Sequence, residues 1–99
     1  MSRVKVLEEA ARDIEQAWDF YDGIMDSLGE YFFESLLTDL NRLEFLHGIH
    51  SKHFGLQRML TARFPFGIYY REVERETQVV AILDLRRDQS WIQKELTGR

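Results

Sequence analysis

Apolar positions follow two rhythms along this chain, helical up to about residue 48 and strand-like after about residue 52. Val4, Val6 and Leu7 make a short apolar entry suited to a first strand. Ala10, Ala11, Ile14, Ala17, Trp18, Tyr21, Ile24 and Met25 then recur at three- and four-residue spacing, the buried stripe of an amphipathic helix. Arg12, Asp13, Glu15, Asp19 and Asp22 fall on the opposite face, and Glu8 and Glu9 sit in the first turn, where carboxylates complement the helix dipole.

Ser27-Leu28-Gly29-Glu30 has the form of a capping box, in which hydroxyl and carboxylate each take up a free backbone N–H. It opens a second helix with Leu28, Phe32, Leu36, Leu40 and Leu43 on one stripe, widened by Phe33, Leu37 and Leu46. Gly48 is placed to end it, since glycine accepts the left-handed backbone found there. The short join predicts an antiparallel helical hairpin.

Beyond residue 52 the period is two: Phe54, Leu56, Arg58 and Leu60 share one parity, Gly55, Gln57, Met59 and Thr61 the other. Phe64 to Arg71 is aromatic-rich, as strands favour. Glu74-Arg75-Glu76-Thr77 reads as a tight charged connection between paired strands, and Val79 to Leu83, apolar at both parities, as a central or strongly bent strand. Arg86 to Ser90 breaks the pattern before a short terminal helix carrying Trp91, Ile92 and Leu96. The expected fold is α+β in one domain, residues 1–99: an N-terminal strand and an antiparallel helical hairpin packed on a three- to four-stranded antiparallel sheet. That leaves the other sheet face without a helix, an opening for a partner.

Composition narrows the chemistry. Of 99 residues 44% are apolar, material for one modest core. Without cysteine there is no disulfide, thiolate nucleophile or Cys-based metal site. No apolar run nears the roughly 20 residues that span a bilayer, and no signal-peptide pattern opens the chain, so the expectation is a cytoplasmic protein away from membranes. The net charge of −4 divides unevenly: residues 1–51 hold four Arg/Lys against 11 Asp/Glu, residues 52–99 nine against six, so the halves are −7 and +3. Such a split suggests two faces with different partners.

Three strings resemble the RelE/ParE superfamily of toxins from type II toxin–antitoxin systems: Ala11-Arg12-Asp13-Ile14-x-x-Ala17 with Tyr21; Arg58 followed by Phe64-Pro65-Phe66-x-Ile68-Tyr69-Tyr70; and Val80-x-Ile82-Leu83-Asp84-Leu85-Arg86-Arg87-Asp88. The chain departs from the family at Asp84, where many members carry histidine, at Gln89, where they carry proline, and at Gly48-Ile49-His50, which lacks a proline. The resemblance implies a toxin neutralised by a cognate antitoxin, in a hetero-oligomer. ParE-like members inhibit DNA gyrase by binding it; RelE-like members cut mRNA on the ribosome. A member that keeps the fold without toxicity is the third possibility.

RNA cleavage needs a base, an acid and cations for the phosphate. His53, Arg58, Arg63 and Arg86 are the candidates for a nuclease. For partner binding they are Arg58, Tyr70, Arg86, Arg87 and Trp91. Arg58 interrupts an apolar parity and so calls for a carboxylate or carbonyl partner, with Asp84 an available candidate. His47, His50 and His53 recur every third residue, but the helix ends among them and their rings should diverge, so no metal site is expected. No phosphate-binding glycine loop or nucleophile elbow occurs, and no cofactor is implied. With no convincing acid–base set and a net negative charge, the ParE-like reading leads.

Overall fold

The computed structural model describes residues 2–99. Its elements run β1 (Arg3–Val6), α1 (Glu8–Ile24), α2 (Leu28–Leu46), β2 (Lys52–His53), β3 (Leu56–Leu60), β4 (Phe66–Val73), β5 (Glu76–Asp84) and α3 (Gln89–Thr97). The sheet has five strands in the order β1-β5-β4-β3-β2. It is larger than the expected antiparallel sheet and mixed, because β1 joins it parallel to β5, with Val6 beside Val79. A strand as apolar as β5 is stable between two neighbours, and β1 supplies the second.

The helical hairpin covers one face. Phe32, Leu36 and Leu43 of α2 and Ala10, Ala17 and Tyr21 of α1 meet Met59, Ile68, Tyr70, Val79 and Ile82 in one buried cluster. Each large apolar side chain fully buried there contributes about 1.5–3 kcal/mol. The helix stripes are shorter than the spacing predicted: Ile24, Met25 and Leu37 are exposed, the first two at the end of α1.

Ser27 does not form the expected capping box. Its φ is +70°, and its hydroxyl makes no capping bond. The hairpin is so tight that Asp22, back on α1, takes the Gly29 N–H instead, Oδ1 accepting at 3.0 Å. Gly29 permits that approach, since a Cβ there would lie 2.7 Å from the Trp18 carbonyl oxygen. Gly48 does have the left-handed backbone, at φ +87°.

The open second face is corrected as well. Tyr69, Ala81 and Leu83 on that face are buried beneath Ile92 and Leu96 of α3, with Leu56, Leu85 and Trp91 against the cluster. A register shift between Tyr69 and Tyr70 makes this possible: Tyr70 pairs with Val79 and Tyr69 with Ala81, leaving Val80 as the extra residue of a bulge. The bulge switches which parity faces the helices, so β5 is apolar on both. Covering a strand of that kind needs a helix on each side, and α3 provides the second.

Candidate functional site

Strand β1 ends beside Val79, so among the described residues the second half of β5 has no strand on its outer edge. A groove of about 420 Å³ opens there, floored by Phe66, Ile82 and Leu83 and walled by Ala17 and Phe20 of α1 and by Trp91 of α3. Phe20 is 57% exposed on the otherwise charged face of α1, so the groove has an apolar lip. The turn Asp84-Leu85-Arg86-Arg87-Asp88 closes its end. Asp88 caps α3, its Oδ1 accepting from the Trp91 N–H at 2.8 Å and the Ser90 hydroxyl at 2.6 Å. The Ser90 hydroxyl, then the Trp91 N–H, hold the Asp88 carboxyl below its usual range. The cap fixes Trp91 one helical turn after Arg87, and the Arg87 guanidinium lies 3.9 Å from the centre of the indole.

Arg86 is committed to Asp84: Nε and Nη2 donate to the carboxylate at 3.0 and 2.7 Å. That side-chain bond holds Asp84 below the ordinary carboxylate range against the opposing effect of burial. The expected Arg58–Asp84 tie is therefore absent. Register is the reason: Arg58 stands opposite Tyr69 whereas Asp84 stands opposite Phe66, two strands away and displaced along the sheet. Arg86 is two residues from Asp84 and takes it. Arg58 lies across Gly67 instead, where a Cβ would meet its Cγ and Cδ at 3.1 Å, and its Nε is buried without a hydrogen-bond partner among the described residues.

Tyr70, expected on a partner-facing surface, is fully buried. Its hydroxyl accepts the Gly48 N–H at 3.0 Å, sits 2.5 Å from His50 Nδ1 and donates to Gln57 Oε1 at 3.1 Å. It pins the loop after α2 to the sheet, and burial raises its pKa. With the Tyr70 proton directed at Gln57, His50 Nδ1 is the donor. Burial, then the Arg42 charge, lowers the His50 pKa. His47 bonds Glu72 and His53 bonds Ser51, so the three imidazoles turn to three different partners.

The nuclease candidates do not converge. His53 is on β2, its pKa lowered first by burial and then by Arg58. Arg63 is in the turn before β4 and donates to the Tyr31 hydroxyl at 2.8 Å. Arg86 is beyond the far end of β5. What does come together is Arg87 and Trp91 at one end of the groove, with Arg86 bound to the Asp84 that also lines it. The sequence reading missed Phe20, an isolated aromatic off the helical stripe, which was the available signal. It also missed the buried Asp39, whose Oδ2 accepts the Ala62 N–H at 3.3 Å, because nothing local distinguishes an inward aspartate on a helix.

No protein-family model matches this chain. No curated protein matches it by sequence. Among solved structures, a chain of the one described as the chromosomal ParDE TA system from P. aeruginosa superposes with a TM-score of 0.73, covering 83% of this chain and 94% of that chain at 21% identity. The fold is thus ParE-like, and the α+β class read from the sequence stands.

Proposed function

We propose that this chain is the toxin of a type II toxin–antitoxin pair, held inactive by a cognate antitoxin, and that it acts as a ParE-like inhibitor of DNA gyrase by binding protein. The observation that carries the reading is the shared fold, since the similar chain comes from a structure described as a ParDE TA system. The ionisable groups support a binding role: Arg86 is held by Asp84, Arg63 by Tyr31, and His53 by Ser51, leaving no assembled acid–base pair among the nuclease candidates. Arg87, stacked on Trp91 beside an apolar groove, has the composition of a protein-binding hot spot. No helix of the described residues is long and apolar enough to cross a membrane, in keeping with a cytoplasmic target.

The test is direct. Expressing the chain alone should arrest growth, and the purified protein should block supercoiling by gyrase. Trp91→Ala and Arg87→Ala should each weaken gyrase inhibition by about tenfold or more if the groove is the contact. Full supercoiling in the presence of the protein refutes the gyrase reading.

A second reading, RelE-like cleavage of mRNA on the ribosome, draws on one observation. His50, its pKa lowered by burial, lines a common groove with Arg42, Ser51 and Arg58. New mRNA ends by primer extension, absent in His50→Ala, would establish that reading over the first.

A further inference from the structure

Two aromatic side chains that helical spacing assigns to the core stripes lie outside both cores. Trp18 of α1 and Phe33 of α2 belong to neither buried cluster, and their half-buried rings meet across the hairpin with centroids 5.2 Å apart. A groove of about 470 Å³ opens over them, floored by Ile14, Trp18 and Phe33 and bordered by Glu15 and Asp19. Leu37, one turn beyond Phe33 on α2, is also exposed. The charge around this apolar seam has one sign. Residues 8–46 hold 11 Asp/Glu against Arg12 and Arg42 alone, a charge of −9. Both arginines are taken within their own helices, Arg12 by Glu8 at 2.7 Å and Arg42 by Asp39 at 3.5 Å. Arg99 reaches only Glu9 and Asp13 at the other end of α1. Among the described residues no salt bridge forms at Glu15, Asp19, Asp22, Asp26, Glu30 or Glu34, and all six are exposed.

We infer that this face of the helical hairpin holds a basic amphipathic helix of a second polypeptide. Its apolar stripe seats on Trp18 and Phe33, and its arginines or lysines meet Glu15 and Asp19. Charge chooses the occupant. A surface of one sign concentrates the opposite one, so phosphate backbones and anionic lipid headgroups are repelled and a cationic partner is drawn in. Trp18 adds to that choice, because an indole face attracts a guanidinium or ammonium, most strongly once water is excluded. The apolar floor asks for more than a cation, and the carboxylates run the length of the hairpin beyond the groove. Several cations carried on one apolar-striped segment match that layout, whereas a single small cation does not. The seam between two packed helices accepts the side-chain ridge of a third, which makes the segment helical. A second copy of this chain has no such helix to give, since α1 and α2 are the acidic ones and α3 carries Lys94 as its one cation. The face is separate from the Phe20–Trp91 groove, and the inference does not rest on the toxin reading.

The probe is a blocked alanine-based peptide of about 15 residues, long enough to form a helix, with leucine along one stripe and arginine on its borders. It is titrated into the ¹⁵N-labelled full chain. Expected are saturable shifts of the Trp18 indole N–H and of the Glu15, Asp19 and Phe33 amides, with the Trp91 indole N–H unmoved. The double variant Glu15→Gln with Asp19→Asn, at two exposed positions, should weaken binding about tenfold. The peptide with serine for leucine should also bind about tenfold or more weakly, a comparison that leaves the protein unaltered. Equal binding by the serine peptide would reduce the contact to charge alone and overturn the inference. So would equal binding by the peptide with glutamate for arginine, the same Trp18 shifts with spermidine, Trp18 shifts that grow with protein concentration in the absence of peptide, or no response at millimolar peptide.

Discussion

Asp13 of α1 and Arg99 form a bidentate ion pair over the outer edge of β5, Nη1 to Oδ2 at 2.5 Å and Nη2 to Oδ1 at 2.8 Å, 86 residues apart in sequence. The arginine side chain is 8% exposed and the aspartate 10%, and each also satisfies a backbone group of β5, so helix, strand and the segment after α3 are locked by one contact. The Asp13 bond also holds the Arg99 guanidinium pKa above its usual value.

Arg99→Ala should therefore be among the most destabilising substitutions outside the apolar core. It leaves a buried carboxylate without its counter-ion, a loss of about 3–5 kcal/mol. Urea unfolding measures it, and the double variant with Asp13→Asn should lose less than the sum of the two single changes. Strict additivity would mean the pair does not act as a unit.

Gly29→Ala and Gly23→Ala make a matched test of the helical hairpin. At Gly29 a Cβ would stand 2.6 Å from Trp18 Cδ1 and 2.7 Å from the Trp18 carbonyl oxygen, and the backbone atom has nowhere to go. The helices must separate, at a cost of about 2–3 kcal/mol. At Gly23, within α1, nothing lies within 4 Å, and alanine should stabilise by about 0.5–1 kcal/mol through helix propensity. Thermal unfolding of the two variants should shift in opposite directions.

Two carboxylates should oppose each other in the pH dependence of stability. Asp84 has a depressed pKa, owing first to Arg86, so its contribution is present above the unfolded aspartate value of about 3.9 and fades as pH falls through its lower folded value. Asp39 has a raised pKa, owing first to burial, so its ionisation opposes folding increasingly as pH rises from about 3.9 toward its higher folded value. Asp39→Asn keeps an acceptor for the Ala62 N–H and should stabilise at neutral pH with no advantage at pH 3. Arg86→Ala should show the reverse pattern, a deficit at neutral pH that vanishes in acid. Urea unfolding across pH 3–7 reads both.

Tyr70→Phe keeps the ring but strands the Gly48 N–H, His50 Nδ1 and Gln57 Oε1. A loss of about 1–3 kcal/mol is expected, together with faster hydrogen exchange at Gly48. Unchanged exchange there would show that the loop is held by other contacts, with the His47–Glu72 pair as the remaining tie.

Periodicity and turn chemistry are local, and what they govern was legible from the residues. The stripes Ala10-Ala17-Tyr21 and Phe32-Leu36-Leu40-Leu43 marked two helices and their buried faces. Glu74-Arg75-Glu76-Thr77 marked a hairpin connection, though the turn is only Glu74-Arg75, with Val73 and Glu76 paired across it and Thr77 already in β5, and Gly48 marked a helix end. Partner choice at a distance was not legible, because no local pattern encodes it. Whether β1 lies parallel beside β5, whether Asp84 takes Arg86 or Arg58, and whether Asp22 replaces Ser27 as a cap depend on which groups the packed chain brings within hydrogen-bond reach. The bulge at Val80 decided most: one extra residue exchanged the faces of β5, set Ala81 and Leu83 beside Tyr69 under Ile92 and Leu96, and turned an expected open sheet face into a second core. Sequence fixes propensity residue by residue, whereas register and burial emerge only when strands and helices are assembled, and the candidate site at Phe20, Arg87 and Trp91 is a product of that assembly.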